Sequence, residues 1–189
     1  MIFDPDQLRI QLYPAEVLRR PGSPVEPSAE IRAIGQRMLQ LMRGAEGIGL
    51  AGPQIGLSWR IFVCDIPRDP EQDPLPPDST PLPPDHTDGP QIWLNPRIVE
   101  CDRQVVPYEE GCLSLPGIRG DVNRPATVTM EAQTPEGETR RVCATGLLAR
   151  CWQHEIDHLD GVLILDRMTQ TARLRNRSRV KAMEKTARR

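Results

Sequence analysis

Gln153-His154-Glu155-Ile156-Asp157-His158-Leu159-Asp160-Gly161 is the stretch on which the reading of this chain turns. On a helix, residues four apart share a face, with Cβ atoms about 5–6 Å apart. The imidazoles of His154 and His158 then reach one metal ion, and Glu155 stands beside them, facing the place of a bound water. The helix itself is legible upstream. In Thr145-Gly-Leu-Leu-Ala-Arg-Cys-Trp152, apolar or functional residues at 147, 151, 154 and 158 form one stripe, spaced four, three and four. Thr145 is a candidate cap and Gly161 the terminator.

An open metal site needs a third protein ligand, with one position left for water. The third histidine of the chain, His86, lies in a proline-rich stretch, a poor scaffold for a rigid site. Of the five cysteines, Cys112 in Glu109-Glu-Gly-Cys-Leu-Ser-Leu-Pro-Gly117 is best placed. Cys64 and Cys151 read as small core residues. A thiolate with two imidazoles suits Zn(II) or Fe(II). Asp157 and Asp160 are candidates to anchor the far nitrogen of a ligand histidine, with Asp160 read rather as a solvated helix acid, and one of Glu109 and Glu110 is a candidate to fix a nearby backbone or Arg124, Glu109 otherwise reading as solvent-exposed. Gly47-Ile-Gly-Leu-Ala-Gly-Pro-Gln54 is glycine-rich but lacks the Lys-Ser/Thr of a phosphate loop. It precedes a strand, whereas the dinucleotide fingerprint follows one. Its glycines allow close backbone approach, and Gln54 offers an amide N–H at a fixed place, a good oxyanion donor.

The rest of the chain supplies the scaffold. Its 189 residues suffice for one domain, read as 1–189. The composition is 38% hydrophobic and 26% charged, with net charge −2, which excludes a disordered or collagenous chain and gives no argument for DNA binding. Residues 67–90 hold nine of the 20 prolines and six acids, so helix and central strand are both ruled out, and a surface insertion is predicted. Helical period runs over 27–43, with Ser28 as cap. Strands are predicted at 60–66, at 91–96 (ended by Asn95-Pro96), at 104–109, and at 126–132 and 138–144 about a turn at 134–137. An extended exit is predicted at 162–167. Strands in the middle and helices near both termini predict an α+β fold, mixed or antiparallel sheets packed around a central HExxH helix. Residues 171–189 carry eight Arg or Lys and one Glu, net +7 against −9 for the rest, and form a basic C-terminal helix or tail suited to a polyanionic partner. No apolar run spans a bilayer, and the cysteine count is odd with no secretory signal before it. A reduced compartment is expected, and with no Arg-rich leader, a bacterial cytoplasm.

Three segments together, Gly47–Gln54, Glu110–Ser114 and Gln153–Gly161, resemble in content and order the three motifs of the peptide deformylases, over essentially the whole chain outside the insertion. The resemblance implies metal-dependent hydrolysis of the N-formyl group from N-formylmethionyl nascent peptides, with release of formate. It implies Cys112, His154 and His158 as ligands of Fe(II), often Zn(II) or Ni(II) in preparations, and Glu155 as general base and acid. Gln54 and the backbone N–H of Leu113 are implied as oxyanion donors. Gly49, Glu110 and Gly111 are implied to line the peptide cleft, and Arg124 matches a structural arginine. For a methionine pocket the candidates are Ile48, Leu50, Trp93, Leu115 and Leu147. Some such enzymes dock on the ribosome by a C-terminal helix, to which 171–189 is similar. Two departures stand out. Gly52 replaces an alanine, which is expected to loosen the turn aiming Gln54, and the 67–90 insertion is long. The competing readings are an HExxH metallopeptidase of other specificity and a structural metal site in a binding module.

Overall fold

Ser28 accepts a hydrogen bond from the Ile31 N–H at 3.2 Å and so starts helix α1, Ala29–Gly44. Such a cap contributes about 1 kcal/mol. Ile31, Ile34, Met38 and Met42 recur at helical spacing and are buried, as the sequence predicts. The structure, a computed structural model, describes residues 7–68 and 83–187. The predicted insertion at 67–90 thus falls largely outside the described residues. After α1 come β1 (Gly49–Ala51), one 3-10 turn (Gly52–Ile55), β2 (Ile61–Cys64), β3 (Gln91–Cys101), β4 (Val105–Gly111), β5 (Arg119–Pro125), β6 (Thr127–Gln133) and β7 (Thr139–Thr145). Helices α2 (Gly146–Leu159), α3 (Ile164–Arg167) and α4 (Gln170–Ala187) follow.

β1-β2-β3-β6-β7 make one antiparallel sheet in that order, and β4-β5 make a separate hairpin. The α+β expectation holds, with α2 central. β2 shows why: in Ile61-Phe-Val-Cys64 every side chain is buried, and the pleat sends alternate ones to opposite layers. Phe62 and Cys64 join Trp93, Met130, Trp152 and Ile156 under α2. Ile61 and Val63 join Ile34, Met38, Met42 and Leu94 under α1. A sheet covered on both faces needs a continuous apolar strand rather than an alternating one. A third cluster, with Leu115, Ile118 and Val122 against Ile164, Met168 and Ala172, fixes the hairpin to α3 and α4.

Several boundaries differ from the sequence reading. β3 does not stop at Asn95-Pro96 but runs on to Cys101, with its pairing to β6 shifted between Leu94 and Arg97. Asn95 absorbs the bend at φ +51, a region asparagine tolerates better than most residues. Its side chain holds Val25 by two hydrogen bonds, accepting from the N–H at 2.9 Å and donating to the carbonyl at 2.8 Å. The extended exit at 162–167 is instead mostly the short helix α3. β5 lies outside the predicted strands. Its buried positions are Gly120, Val122 and Arg124, a period of two without an apolar signature. Thr145 precedes α2 but makes no side-chain cap; its hydroxyl donates to the Ala126 carbonyl at 3.1 Å. Backbone carbonyls at the return of the insertion satisfy this end of the helix in its place. The Thr145 N–H reaches the Pro84 carbonyl at 3.0 Å, and the Leu148 N–H reaches the Asp85 carbonyl at 3.1 Å. At the other end, Gly161 and Val162 N–H bond back to His158 and Asp157 carbonyls, a Schellman ending that places the terminator as expected. The basic C-terminal segment is helical and anchored: Asn176 donates to the Arg119 carbonyl at 2.8 Å, and the Tyr13 hydroxyl to Glu184 at 2.7 Å.

Candidate active site

Helix α2 puts the His154 and His158 rings 5.0 Å apart, as their spacing requires. β4 ends at Gly111 and delivers Cys112 to the same point. Its Sγ lies 3.2 Å from His158 Nε2, and one donor atom from each of the three residues lies within 4.8 Å of the others. Among the described residues, this is the group of His, Cys, Asp and Glu side chains able to hold an ion. The set is the soft and borderline one that Zn(II) and Fe(II) take, with no fourth protein donor among the described residues to close it. His86 pairs with Asp85 at 3.0 Å and stands outside the group. Cys64 and Cys151 are buried. Contact with Cys64, then burial, pushes the Cys151 thiol well up, so it stays protonated core.

The His154 ring is oriented by Glu110. Its Nδ1 lies 3.0 Å from Glu110 Oε2, which fixes the proton on Nδ1 and leaves Nε2 its lone pair. The sequence offers Asp157 for this role and reads Asp160 rather as a solvated helix acid; the structure gives the role to Glu110 instead. Asp160 pairs with Arg60 at 2.7 Å, and Asp157 with Arg124 at 2.8 Å and Arg167 at 2.7 Å. Glu110 also accepts Arg124 Nε at 2.6 Å and Nη2 at 3.0 Å, the pairing the sequence offers, and Arg150 at 2.8 Å. Burial would raise its carboxyl, but hydrogen bonds from His154 and Arg124 and their charges lower it to about 2. Removing one partner of such a buried pair typically costs roughly 3–5 kcal/mol. For His154, burial opposes protonation, but Cys112 and Glu110 overcome it and hold the pKa well above the usual imidazole value. Burial and the His154 charge hold His158 well below it. A thiol and two imidazoles converging on one point are donors that fit a metal ion.

Glu155 is 4% exposed, and burial pushes its carboxyl up to about 7. Oε2 is buried with no hydrogen-bond partner among the described residues. The backbone of Gly49 runs against this carboxylate: a Cβ there would lie 2.3 Å from Oε1 and 2.8 Å from Cys151 Sγ. Only glycine lets β1 and Glu155 share the space. The Gln54 side chain is buried, and its orientation follows from its contacts. Oε1 accepts the Ala51 N–H at 2.8 Å, so the NH2 group faces Cys112 Sγ at 3.5 Å and Ser114 Oγ at 3.3 Å. Leu113 follows Cys112 directly, and its N–H donates no hydrogen bond to another described residue. A Cβ at 52 would sit 2.5 Å from the Trp59 carbonyl oxygen, so backbone occupies the space an alanine would need.

A cleft of 510 Å³ joins these groups. Ile48, Gly49, Glu110 and Gly111 line it, as do Leu115 and Leu147. Leu50 does not: it is fully buried on the α1 side of the sheet. Trp93 is likewise in the core, packed edge-on to Trp152 at 6.4 Å. Leu50 turns into the α1 layer, whereas Gly49, its neighbour in β1, and Ile48, just before the strand, stand at the cleft. Tyr108 and Arg150 are among the lining residues that escape the sequence reading. Arg150 has a detectable signal, since it precedes His154 by one helical turn.

A family profile described as polypeptide deformylase matches residues 7–174. The peptide deformylase of Rhizobium meliloti (strain 1021) is 40% identical over 163 residues, covering 86% of this chain and 85% of that protein. Among solved structures, a Plasmodium falciparum peptide deformylase superposes with a TM-score of 0.83 at 30% identity, covering 95% of this chain and 97% of the other. A plant peptide deformylase superposes with a TM-score of 0.84 at 32% identity, covering 99% and 94%.

Proposed function

The chain belongs to the peptide deformylase family, and from that membership we propose the division of labour in its cleft. The reaction is hydrolysis of the N-formyl group from nascent chains, with formate as the small product. Cys112, His154 and His158 hold one divalent ion, Fe(II) in the cell, with Zn(II) or Ni(II) taking the same donors. Once bound, that ion supplies a Lewis acid and lowers the pKa of water. Glu155 takes a proton from the attacking water on its carboxylate and returns it to the departing amine nitrogen. A carboxyl near pKa 7 is poised for both transfers at neutral pH. Gln54 Nε2 and the Leu113 N–H donate to the oxygen that gains charge as the formyl carbon becomes tetrahedral. Gly49 and the Glu110–Gly111 segment flank the peptide backbone, and Ile48, Leu115 and Leu147 offer apolar surface to the methionine side chain.

The observation that carries this reading is convergence: a buried carboxylate, an oriented amide and a Cys-His-His donor set meet at one cleft. The test is formate release from a formyl-Met peptide by anaerobically purified protein, with metal analysis of the same sample. Formate should appear in step with metal content and without internal cleavage. Internal cleavage with no formate would overturn the proposal in favour of an ordinary metallopeptidase.

We further place 1–189 as one catalytic unit in a bacterial cytoplasm, where five free thiols stay reduced. No helix among the described residues is long and apolar enough to cross a membrane. Helix α4, with Arg173, Arg175 and Arg177 exposed, is suited to docking on ribosomal RNA near nascent chains. Because α4 also packs on the body, truncation would confound the test. Reversing the three charges to glutamate should abolish co-sedimentation with ribosomes and leave formate release on free peptide intact. Unchanged co-sedimentation would count against docking.

A further inference from the structure

We propose that Arg150 is a positioning residue for the metal-ligand set, tying the helix that carries both histidines to the hairpin that delivers the cysteine. The inference rests on the metal site proposed above. Arg150 is 8% exposed and lies on α2, one turn before His154. Its guanidinium reaches three points of the hairpin. Nη1 donates to Glu110 Oε1 at 2.8 Å and to the Val122 carbonyl at 3.1 Å, and Nη2 to the Val106 carbonyl at 2.7 Å. Its central carbon also sits 5.3 Å from the centre of the Tyr108 ring. Val106, Tyr108 and Glu110 belong to β4 and Val122 to β5, so one side chain grips both strands of the sheet that ends at Cys112.

Arg124 does not make this grip redundant. It comes from β5 itself and touches α2 at Asp157, three residues beyond His154. Gln153 and His154 also touch the hairpin, at the Pro125 carbonyl and Glu110. Arg150 adds a grip farther back along α2, four residues before His154, that spans both strands. It also donates to Glu110 Oε1, which Arg124 Nε reaches as well, while Oε2 is engaged by His154 and by Arg124 Nη2. Lysine can make one of these contacts but not all three, because only the planar fork presents donors in several directions at once.

The test uses the full chain loaded with Co(II). Its dissociation constant is measured by visible absorption against a competing chelator, beside a circular-dichroism melt. Outer-shell partners of metal ligands are commonly worth about 10–100-fold in affinity. Arg150→Met should weaken Co(II) binding by about that factor and shift the ligand-field bands, and Arg150→Lys should fall between it and the parent. Gln153→Ala serves as the control for general loosening of α2. Gln153 also ties that helix to the hairpin, donating to the Pro125 carbonyl at 3.1 Å, but touches neither Glu110 nor a ligand. It should keep the parent affinity and spectrum. The proposal is overturned if Arg150→Met binds Co(II) as the parent does, or if Gln153→Ala weakens binding equally. Should Arg150→Met not fold, parent-like affinity in Arg150→Lys overturns it instead. A parent chain that fails to bind Co(II) through Cys112 would sink the metal-site reading, a distinguishable result.

Discussion

Glu155→Ala will load metal like the parent and lose formate release by a factor on the order of 10²–10⁴, the range that a positioned general acid-base group contributes. The structure separates the two properties. The donor atoms belong to Cys112, His154 and His158, none of which hydrogen-bonds to Glu155. Removing the carboxylate therefore leaves the ion's seat intact. It does remove the group that carries protons between water and the departing amine. The fold should not suffer. Glu155 Oε2 is buried without a partner among the described residues, so folding desolvates that carboxylate without a compensating bond. The melting temperature should hold or rise. Formate release, metal content and a thermal melt on one preparation check all three points. Turnover within about threefold of the parent, well short of the acid-base range, would show that another group moves the proton.

Cys112→Ala should have the second large effect, and by a different route. Two imidazoles on one helix turn remain, but the thiolate that completes the set is gone, and with it most of the affinity. Formate release should fall to background because the protein no longer retains the ion. Stability gives an independent reading. An ion that binds only the folded chain stabilises it by RT ln(1 + [L]/Kd). Chelation should therefore lower the melting temperature of the parent and leave that of Cys112→Ala unchanged. The substitution itself is mild: the residue is half-buried beyond the end of β4, and the following turn is closed by backbone, the Leu115 N–H reaching the Cys112 carbonyl at 3.0 Å. Stoichiometric metal and full activity in the variant would show that some other side chain completes the site.

The parts of this protein that depend on neighbours in the chain are legible in the sequence. A spacing of four on a helix is enough to put His154 beside His158, and a serine before an apolar period is enough to start α1. Cys112 and Gln54 can be named because each sits in a short segment whose residue types make little sense as core. Parts that depend on neighbours in space are not legible. Asp157 looks like the group holding His154 Nδ1 because a helix places it nearby. Glu110, from another element 44 residues earlier, wins through geometry that only the packed hairpin creates. Leu50 reads as cleft lining until the pleat of β1 turns it into the opposite layer. β5 carries a buried Arg124 where a strand pattern asks for an apolar residue, since the partners that neutralise it, Glu110 and Asp157, come from β4 and α2. That no alanine fits at Gly52 follows from the Trp59 carbonyl, which occupies the space a Cβ would need.

The sequence by itself determined the helical periods of α1 and α2, the Ser28 cap, the Gly161 terminator and the inventory of chemical groups, because those follow from covalent neighbours and backbone geometry. Only the tertiary structure decided which buried charges meet, which face each strand shows the cleft, and that Arg150 bridges helix and hairpin. A buried ion is tolerable only beside its counter-ion, and that pairing exists only once distant segments are packed together.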